Sequence, residues 1–239
     1  MEITVILNGH KEGILAHPSC GSIEAAIGLA READISVEVL VVLDRPDRET
    51  TEFFANRMPS DWSLRTVDFG DLGMARNEGV RLANGHWIAF LDADDLFGKN
   101  WLLEAHRAAL SDKRLVVWHP DVNLFFGQGH RIFKHRDMDE PDFNALGLVC
   151  SNFWTALCFT RRSLLLQTPY PRTQLDRQIG FEDWSWNIDV LNRGAIHKTV
   201  PNTGHFIRLK GDGSLARQTA AARCIPHPTL HFRQRIQQQ

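Results

Sequence analysis

The amino-acid sequence predicts an α/β fold, in which a mostly parallel sheet is covered by helices on both faces. Short apolar strands alternate with helical stretches over the first half of the 239 residues, and the run at residues 37–43 is almost entirely apolar. Such runs are typical of parallel strands that are buried on both faces, and strand–helix alternation favours the same fold. The carboxyl ends of these strands share one edge of the sheet, where ligands bind.

The elements of the first half follow in chain order from this pattern. Strands are predicted over residues 2–7, 37–43, 64–69, 87–91 and 115–118. Helices are predicted over residues 22–33, 48–57, 72–83 and 100–110. Ser22 is a candidate N-cap for the first helix, and Gly85 follows the third, where a left-handed C-cap needs glycine. Gly79 lies inside the third helix at a cost of about 1 kcal/mol relative to alanine, which suggests close helix packing.

The second half of the chain, from about residue 125, is less regular. A loop is predicted over residues 127–147 and a helix over residues 181–192, with Gly194 as its stop. Further strands are predicted over residues 153–159, 196–200 and 205–209. We expect a single domain over residues 1–209, divided into halves at residues 1–125 and 126–209. Residues 210–239 are expected to form a partly mobile C-terminal tail.

Composition excludes several classes of protein. Apolar residues make up 43% and charged residues 23% of the chain, which is ordinary for a globular protein and unlike a disordered one. The net charge of −2 lacks the basic excess of proteins that coat nucleic acid, so no nucleic-acid partner is expected. The first residues are typical of a strand rather than a signal peptide, and no apolar run is long enough for an integral membrane segment. A cytoplasmic location is therefore expected.

The strongest chemical feature is the run Asp92-Ala93-Asp94-Asp95, which directly follows the predicted strand at residues 87–91. Residues two apart in an extended chain point the same way and lie about 7 Å apart, so Asp92 and Asp94 can face one ligand. Their mutual repulsion favours a divalent cation such as Mg²⁺ or Mn²⁺. The alternative is an acidic turn in which Asp94 or Asp95 caps the next helix, which accounts for one aspartate better than for three.

Three further positions have two open interpretations each. Asp44 ends the strand at residues 37–43 and is either an acceptor for a base or ribose or a turn former. Arg76 lies early in the third helix and either reaches a diphosphate or is solvated. Glu182 and Asp183 open a helix, where acids are stabilised by the helix dipole; alternatively, one of them is a general base on a rigid helix end.

Taken together and in this order, these features resemble family 2 glycosyltransferases of the GT-A fold, over residues 3 to about 208. The specific part is Ala75-Arg76-Asn77 followed by Asp92-Ala93-Asp94-Asp95, which looks like the family's Ala-Arg-Asn helix and metal-binding DxD strand end. Glu182-Asp183-Trp184 looks like its catalytic-base motif, and ITVILNGHKEG resembles its first strand and turn.

The resemblance implies a role for each candidate residue. Residues 1–125 would bind the nucleotide sugar, with Asp44 at the nucleoside and Arg76 near the diphosphate. Asp92 and Asp94 would hold Mn²⁺ or Mg²⁺, with Asp92 facing the ribose or a metal-bound water. Residues 126–209 would supply the acceptor side, with Asp183 as general base and Glu182 helping to hold the acceptor. His205 would be a further metal ligand, unless it is a strand histidine with a local partner. Arg208 and Ser214 resemble a late Arg…Ser element of a loop that closes over the donor.

Two departures from the family's pattern affect the donor site. The family commonly has Asp-Asp-Gly-Ser after its second strand, where this chain reads Leu43-Asp44-Arg45-Pro46-Asp47. One acid is therefore missing, which puts the choice of base in doubt. The first turn also carries an additional segment over residues 14–20, which we expect to precede the first helix and to shape the donor pocket.

The expected function is metal-dependent, inverting transfer of a sugar from a nucleotide-diphosphate sugar to a hydroxyl. The favoured donor is UDP-linked, and the acceptor is a saccharide or a lipid-linked saccharide used in surface polysaccharide or glycan biosynthesis, with the protein peripheral at the inner membrane face. A sugar nucleotidyltransferase is the first alternative, but Asn8-Gly9-His10-Lys11 is a poor match to its Gly-rich loop. A non-catalytic nucleotide- or sugar-binding module is the second, and the pair Glu182-Asp183 counts against it.

Overall fold

The structure is a computed structural model that describes residues 1–210, 215–227 and 229 of the chain. Its first half alternates strands and helices in the predicted order. The strands are β1 (Ile3–Gly9), β2 (Val37–Asp44), β3 (Ser63–Val67), β4 (Trp87–Asp92) and β5 (Leu96–Phe97). The helices are α1 (Ala16–Glu32), α2 (Arg48–Arg57), α3 (Leu72–Leu82) and α4 (Trp101–Ser111).

The second half contains longer strands and shorter helices. The strands are β6 (Val116–Gly127), β7 (Arg131–Lys134), β8 (Phe159–Arg161), β9 (Ile179–Gly180), β10 (Ile196–Leu209) and β11 (Ile225–Pro226). The helices are α5 (Arg162–Gln167), α6 (Glu182–Asp189) and α7 (Leu215–Ala221). Short 3₁₀ turns cover Gly13–Leu15, Ala145–Val149, Leu175–Arg177 and Val190–Arg193.

Within the described part of the chain, nine strands form one sheet in the order β3-β2-β1-β4-β8-β6-β10-β5, with β7 paired to β6. The first four strands are mutually parallel, and so are β6 and β10. The short strand β8 runs antiparallel between β4 and β6, so the predicted strand at residues 115–118 is not the neighbour of β4. The sheet is mostly parallel where the predicted ligand edge lies, and this confirms the expected fold class.

The core lies on both faces of the sheet because side chains alternate along each strand. On β1, Val5 and Leu7 belong to the cluster that includes residues of α1 and α4, whereas Ile6 packs in the cluster of α3. A Cβ added at Gly79 of α3 would lie 2.7 Å from Ile6 Cγ2. The helix therefore approaches β1 closely, as the glycine suggested.

Helix α1 begins six residues earlier than predicted. Ser22 lies inside it, where its hydroxyl donates to Ser19 O at 2.8 Å and accepts from Phe97 N at 3.1 Å, so it is not an N-cap. The segment over residues 14–20 forms a 3₁₀ turn and the first turn of α1 instead of a separate loop. Pro18 permits this because proline is tolerated in the first turn of a helix.

Gly85 serves close approach rather than capping. It does not have a positive φ, and the C-cap residue of α3, Ala83, is extended. A Cβ at Gly85 would lie 2.4 Å from the backbone nitrogen of Thr4. Glycine is needed here because the chain passes against the backbone of β1.

In the second half, four predicted elements differ from those observed. The apolar run at residues 153–159 is buried but irregular up to Phe159, where β8 begins. The two strands predicted at 196–200 and 205–209 are one strand, β10, with a register shift between Val200 and Gly204. The predicted loop at 127–147 contains β7. Gly194 has φ 75° after the turn that follows α6, so the predicted helix stop is confirmed.

The described part of the predicted C-terminal tail contains secondary structure. Strand β11 pairs in parallel with β9, directly before α6. A Cβ at Gly180 would lie 2.5 Å from Thr219 Cγ2, so α7 packs closely on the same segment. Residues 211–214, including Ser214, and most residues after 227 lie outside the described part. No helix in the described ranges is both long and apolar enough to cross a bilayer.

Candidate active site

The predicted acids lie at the carboxyl-terminal edge of the parallel strands. Asp44 ends β2 and Asp92 ends β4, on either side of β1. Asp94 lies in the turn that follows β4 and is buried. The topology thus gathers acids from separate strands at the edge where the sequence predicted a ligand.

Arg76 of α3 joins this edge to helix α6. Its Nη2 donates to both carboxylate oxygens of Asp92 at 3.1 Å, and its Nη1 donates to Glu182 Oε1 at 3.0 Å. The guanidinium is almost completely buried (1% exposed) and lies 5.6 Å from the ring centroid of Tyr170. A buried charge is tolerated only when it is paired, so the interpretation of Arg76 as a solvated residue is wrong.

Asn77 fixes the segment that covers Arg76. Its side-chain amide donates to Tyr170 O at 2.9 Å and accepts from Tyr170 N at 2.9 Å. The Tyr170 ring stacks on Trp186 of α6 with 4.9 Å between centroids. The Ala-Arg-Asn sequence therefore connects α3 to α6 through two neighbouring side chains.

Asp44 organises the turn that begins α3. Its Oδ1 accepts from Phe69 N and Gly70 N at 2.8 and 3.0 Å, and its Oδ2 accepts from Asp71 N at 2.8 Å. Gly70 has φ 60°, which glycine adopts at little cost. Both oxygens already accept backbone amides, so contact with a nucleoside would use their remaining lone pairs.

The turn after β4 is held by the end of β10. Arg208 N donates to Asp95 Oδ1 at 2.7 Å, and Arg208 Nε donates to Asp94 O at 3.2 Å. Lys210 Nζ lies 2.9 Å from Asp94 Oδ2 and 3.1 Å from Glu12 Oε1. Helix α4 has Asn100 as its N-cap, without a side-chain cap bond, so the capping interpretation of Asp94 or Asp95 is wrong.

The carboxylates of this turn fit a divalent cation. Burial raises the pKa of Asp94, and Lys210 opposes that rise; burial also raises the pKa of Asp95, together with the charges of Asp94 and Asp92. Mg²⁺ and Mn²⁺ prefer oxygen ligands, and in nucleotide sites they often take one or two carboxylates plus water and phosphate. A pair of carboxylates is therefore enough. In the described ranges, no group of three His, Cys, Asp or Glu side chains is arranged to hold a metal.

The structure does not bring His205 to these carboxylates. It pairs with Phe97 across β10 and β5, and its ring lies 5.1 Å from the Phe97 ring and 4.7 Å from the Trp101 ring. The side chain is completely buried, and neither ring nitrogen has a hydrogen-bond partner among the described residues. This aromatic enclosure does not fit the expected role of His205 as a metal ligand. The alternative, a strand histidine with a local hydrogen-bond partner, is not found among the described residues either.

Helix α6 presents two carboxylates in its first turn. It follows Phe181, which has the left-handed φ of 55°, a conformation that bulky side chains rarely adopt. Burial and the neighbouring Asp183 raise the pKa of Glu182 to about 7, although Arg76 opposes this. Burial also raises the pKa of Asp183, and Arg76 and backbone N–H groups lower it. A pair of close carboxylates with raised pKa values is suited to acid–base chemistry.

The tryptophans near α6 divide between core and site. Trp154 and Trp186 are each 1% exposed and pack in the core, so they do not face a ligand. Trp184 is partly exposed, and its indole nitrogen donates to Leu148 O at 2.9 Å. Only Trp184 of these three lies beside Asp183 with surface left for an acceptor.

Sequence reasoning missed Glu12, Lys210 and Asn152. Glu12 and Lys210 form the ion pairs around Asp94, and Asn152 Nδ2 donates to Asp183 Oδ2 at 3.1 Å. Glu12 stands in the first turn, whose likeness to the family motif was a usable signal. Lys210 and Asn152 lie in irregular segments with no pattern that would single them out.

The fold and this edge define a class of protein, the glycosyltransferases of GT-A type. The structure matches a mannosyltransferase from Pyrobaculum calidifontis, solved with GDP-Man and Mn²⁺, with a TM-score of 0.64 at 18% identity, covering 99% of this chain and 64% of the other. It also matches S. aureus TarS in complex with UDP-GlcNAc, with a TM-score of 0.58 at 18% identity, covering 90% and 61%. At these identities the likeness concerns the fold.

The chain belongs to glycosyl transferase family 2, whose family model matches residues 21–168. This confirms the resemblance drawn from the motifs. The matched range includes Asp44, Arg76, Asp92 and Asp94, whereas Glu182 and Asp183 lie beyond it.

Two curated relatives work in polysaccharide biosynthesis by their names. The succinoglycan biosynthesis protein ExoO of Rhizobium meliloti is 28% identical over 218 residues, covering 85% of this chain and 61% of its own length. The minor teichoic acid biosynthesis protein GgaB of Bacillus subtilis is 23% identical over 197 residues, covering 77% and 21%. The chain therefore spans less than two thirds of the length of either relative.

Proposed function

We propose that this chain transfers a sugar from a nucleotide-diphosphate sugar to a hydroxyl of a saccharide acceptor. The observation that carries the proposal is the bridge formed by Arg76 between Asp92 of β4 and Glu182 of α6. It keeps the donor-side acids next to a helix whose first turn holds a second carboxylate, Asp183. Family membership supports the same class of reaction.

The proposed donor is a UDP-sugar. TarS was solved with UDP-GlcNAc and the mannosyltransferase with GDP-Man, so this fold accepts more than one base. We assign the nucleoside contact to Asp44 and the neighbourhood of the diphosphate to Arg76 and Arg208. The proposed acceptor is a saccharide, free or carried on a lipid at the inner membrane face, in line with the names of the two curated relatives.

In the proposed mechanism, Asp183 removes the proton from the acceptor hydroxyl as that oxygen attacks the anomeric carbon. The new C–O bond forms on the face opposite the diphosphate while the bond to the diphosphate breaks, so the configuration inverts. The transition state is oxocarbenium-like, as in glycoside hydrolysis. Glu182 helps to hold the acceptor, and Arg76 keeps both α6 and Asp92 in place.

A divalent cation belongs to the proposal. Asp94 and Asp92 would hold Mn²⁺ or Mg²⁺, which when bound supplies Lewis-acid stabilisation of the charge on the leaving diphosphate. Lys210 now lies beside Asp94 and would have to yield part of its contact.

A thermal-shift panel tests the proposed function. UDP, GDP, UDP-GlcNAc and GDP-mannose are each added with and without Mn²⁺, because a ligand that binds the native state raises the melting temperature. We expect a nucleotide-dependent rise that is larger with Mn²⁺, and release of nucleoside diphosphate from the sugar that binds. Asp94→Asn should lose the Mn²⁺-dependent part. The distant, exposed Asp61→Asn is the control and should keep it.

Three outcomes would contradict parts of the proposal. If none of the four nucleotides raises the melting temperature, the donor assignment fails. If one binds but its sugar is never released, the chain is a binding module rather than an enzyme. If Mn²⁺ raises the melting temperature of Asp94→Asn as much as that of the wild type, the metal site does not include Asp94.

A further inference from the structure

Asn152 lies against the proposed base and is not part of any motif. It stands in the irregular segment before β8, and its Nδ2 donates to Asp183 Oδ2 at 3.1 Å. The other oxygen of Asp183, Oδ1, accepts from the backbone N–H of Trp184 at 2.8 Å. One hydrogen bond therefore reaches each oxygen, and further lone pairs remain for a substrate hydroxyl.

The orientation of the Asn152 amide is fixed by its neighbours. Asn187 Nδ2 donates to Trp154 O at 3.2 Å and to Asn152 Oδ1 at 3.1 Å. A backbone carbonyl can only accept, so Asn187 must turn its NH₂ group to this side. Asn152 then has its oxygen towards Asn187 and its NH₂ group towards Asp183. A donor thus always faces the base.

Asn187 is itself held by buried aromatic and histidine side chains. It is 1% exposed, and its backbone oxygen accepts from His197 Nε2 at 2.9 Å. The His197 ring stacks on Trp154 with 3.8 Å between centroids, and its Nδ1 lies 2.8 Å from His119 Nε2. These contacts hold Asn187 in place, although Asn187 Oδ1 and His119 Nδ1 have no hydrogen-bond partner among the described residues. Asn187 is also one helical turn after Asp183, so base and support share α6.

We propose that Asn152 is a positioning residue, which holds the Asp183 carboxylate ready to accept a proton and is itself oriented by Asn187. The catalytic part of this inference rests on the proposed function, in which Asp183 is the base. The amide donates to the ionised carboxylate, and such charge-assisted bonds favour the ionised form. It also restricts rotation of the carboxylate, and geometry within a fraction of an ångström matters for proton transfer.

Other groups that face Asp183 set the background for this effect. Arg76 of α3 favours its ionised form, whereas Asp92 of β4 opposes it. Glu182 of the same helix and Tyr170, in the segment after α5, also interact with it. Glu182 and Asp183 influence each other's protonation, so the titration is compared between wild type and the Asn152 variant, in which none of these groups is altered.

Carbon-13 NMR of labelled aspartate carboxyl groups tests the inference without any transfer assay. The signal of Asp183 is assigned from its absence in Asp183→Asn and is then titrated with pH in wild type and in Asn152→Ala. Loss of the hydrogen bond should raise the pKa of Asp183 by about one unit. Asn144→Ala is the matched control, because the side chain of that exposed asparagine accepts from Leu146 N in the same segment. An unchanged Asp183 titration in Asn152→Ala overturns the inference.

Asn187→Ala provides a second reading of the same network. Without the donors of Asn187, the Asn152 oxygen keeps only the long hydrogen bond from Trp154 N at 3.4 Å. The amide is then less firmly oriented, so the pKa of Asp183 should rise in the same direction by a smaller amount. Dispersed amide signals in the same NMR sample report that this variant is folded. A folded Asn187→Ala with a wild-type titration would remove Asn187 from the network.

Kinetics separate this inference from the proposed function. The assay uses whichever of UDP-GlcNAc and GDP-mannose the wild type hydrolyses faster. With that donor, Asn152→Ala should lower kcat while leaving KM for the donor unchanged. In the plot of kcat/KM against pH, the acidic limb of Asn152→Ala should lie at higher pH than that of the wild type. The base must be ionised to act, and its pKa is expected to be higher in this variant. If wild type hydrolyses neither donor, the proposed function fails while the NMR result still decides the position of Asn152. If wild type is active and the limb does not move, the inference alone fails.

Discussion

Arg76 bonds to Glu182, which lies 106 residues further along the chain. The Ala-Arg-Asn motif indicated that Arg76 is important but not that it contacts Glu182. The Ala-Arg-Asn sequence directed attention to this arginine, but its partner Glu182 comes from the other half of the fold. Contacts of such separation depend on topology and cannot be derived from a local pattern. The same reason explains why Lys210 and Asn152 were missed, whereas the acids at strand ends were found because strand ends are local features.

Removing the Arg76 charge should destabilise the protein strongly. In Arg76→Met, the buried Glu182 and the partly buried Asp92 lose their partner, which should cost about 3 kcal/mol of unfolding free energy. Urea unfolding measures this change. Arg81→Met is the control, because the Arg81 side chain is 61% exposed and its partner Glu78 keeps Arg65 at 3.6 Å, so less than about 1 kcal/mol is expected. Similar losses in both variants would contradict the buried bridge.

Helix α3 shows which features of an element the sequence determines. Its position follows from apolar spacing, and its N-cap Asp71 accepts from Met74 N at 2.9 Å. Its close approach to β1 was signalled by Gly79, a residue that weakens helices and therefore needs a packing reason. By contrast, β8 and the bulge in β10 had no periodic signal, since both depend on which strand lies alongside.

Two glycine substitutions test this packing directly. Gly79→Ala improves helix propensity, but its Cβ would meet Ile6 Cγ2 at 2.7 Å, so a net loss of about 1–3 kcal/mol is expected. Gly28→Ala in α1 has no atom within 4 Å of the new Cβ and should gain up to about 1 kcal/mol. Chemical denaturation of both variants compares them. A stabilised Gly79→Ala would show that α3 can move away from β1 at little cost.

At the scale of the whole molecule, elements from the second half of the chain contact and hold elements of the first half. Strand β8 enters the sheet beside β4, the end of β10 holds the acidic turn, and β11 pairs beside α6. Beneath α6, burial lowers the pKa of His197 to about 3 and that of His135 to about 4. These neutral histidines were not predicted, because lone histidines carry no pattern, and they make stability depend on pH.

The sign of that dependence follows from proton uptake. Between pH 6.5 and about 4, the unfolded chain protonates His197 and the folded chain does not, so His197 lowers stability as pH falls, by up to about 1.4 kcal/mol per pH unit. Asn cannot be protonated, so His197→Asn should lose this contribution to the slope of unfolding free energy against pH. Urea unfolding at several pH values measures the slopes. His130→Asn, at an exposed position, should keep the wild-type slope, and an unchanged slope in His197→Asn would mean that His197 is protonated in the folded state.

The most direct test of the central claim is the rate at which Asp183→Asn releases nucleoside diphosphate from its sugar donor. Proton transfer to a positioned base contributes about 10²–10⁴-fold, so we expect at least about a 100-fold lower rate with unchanged Mn²⁺-dependent donor binding. Asp189→Asn on the same helix is the control and should remain active. An Asp183→Asn variant that retains the wild-type rate would contradict the assignment of Asp183 as the base and, with it, the arrangement proposed for this site.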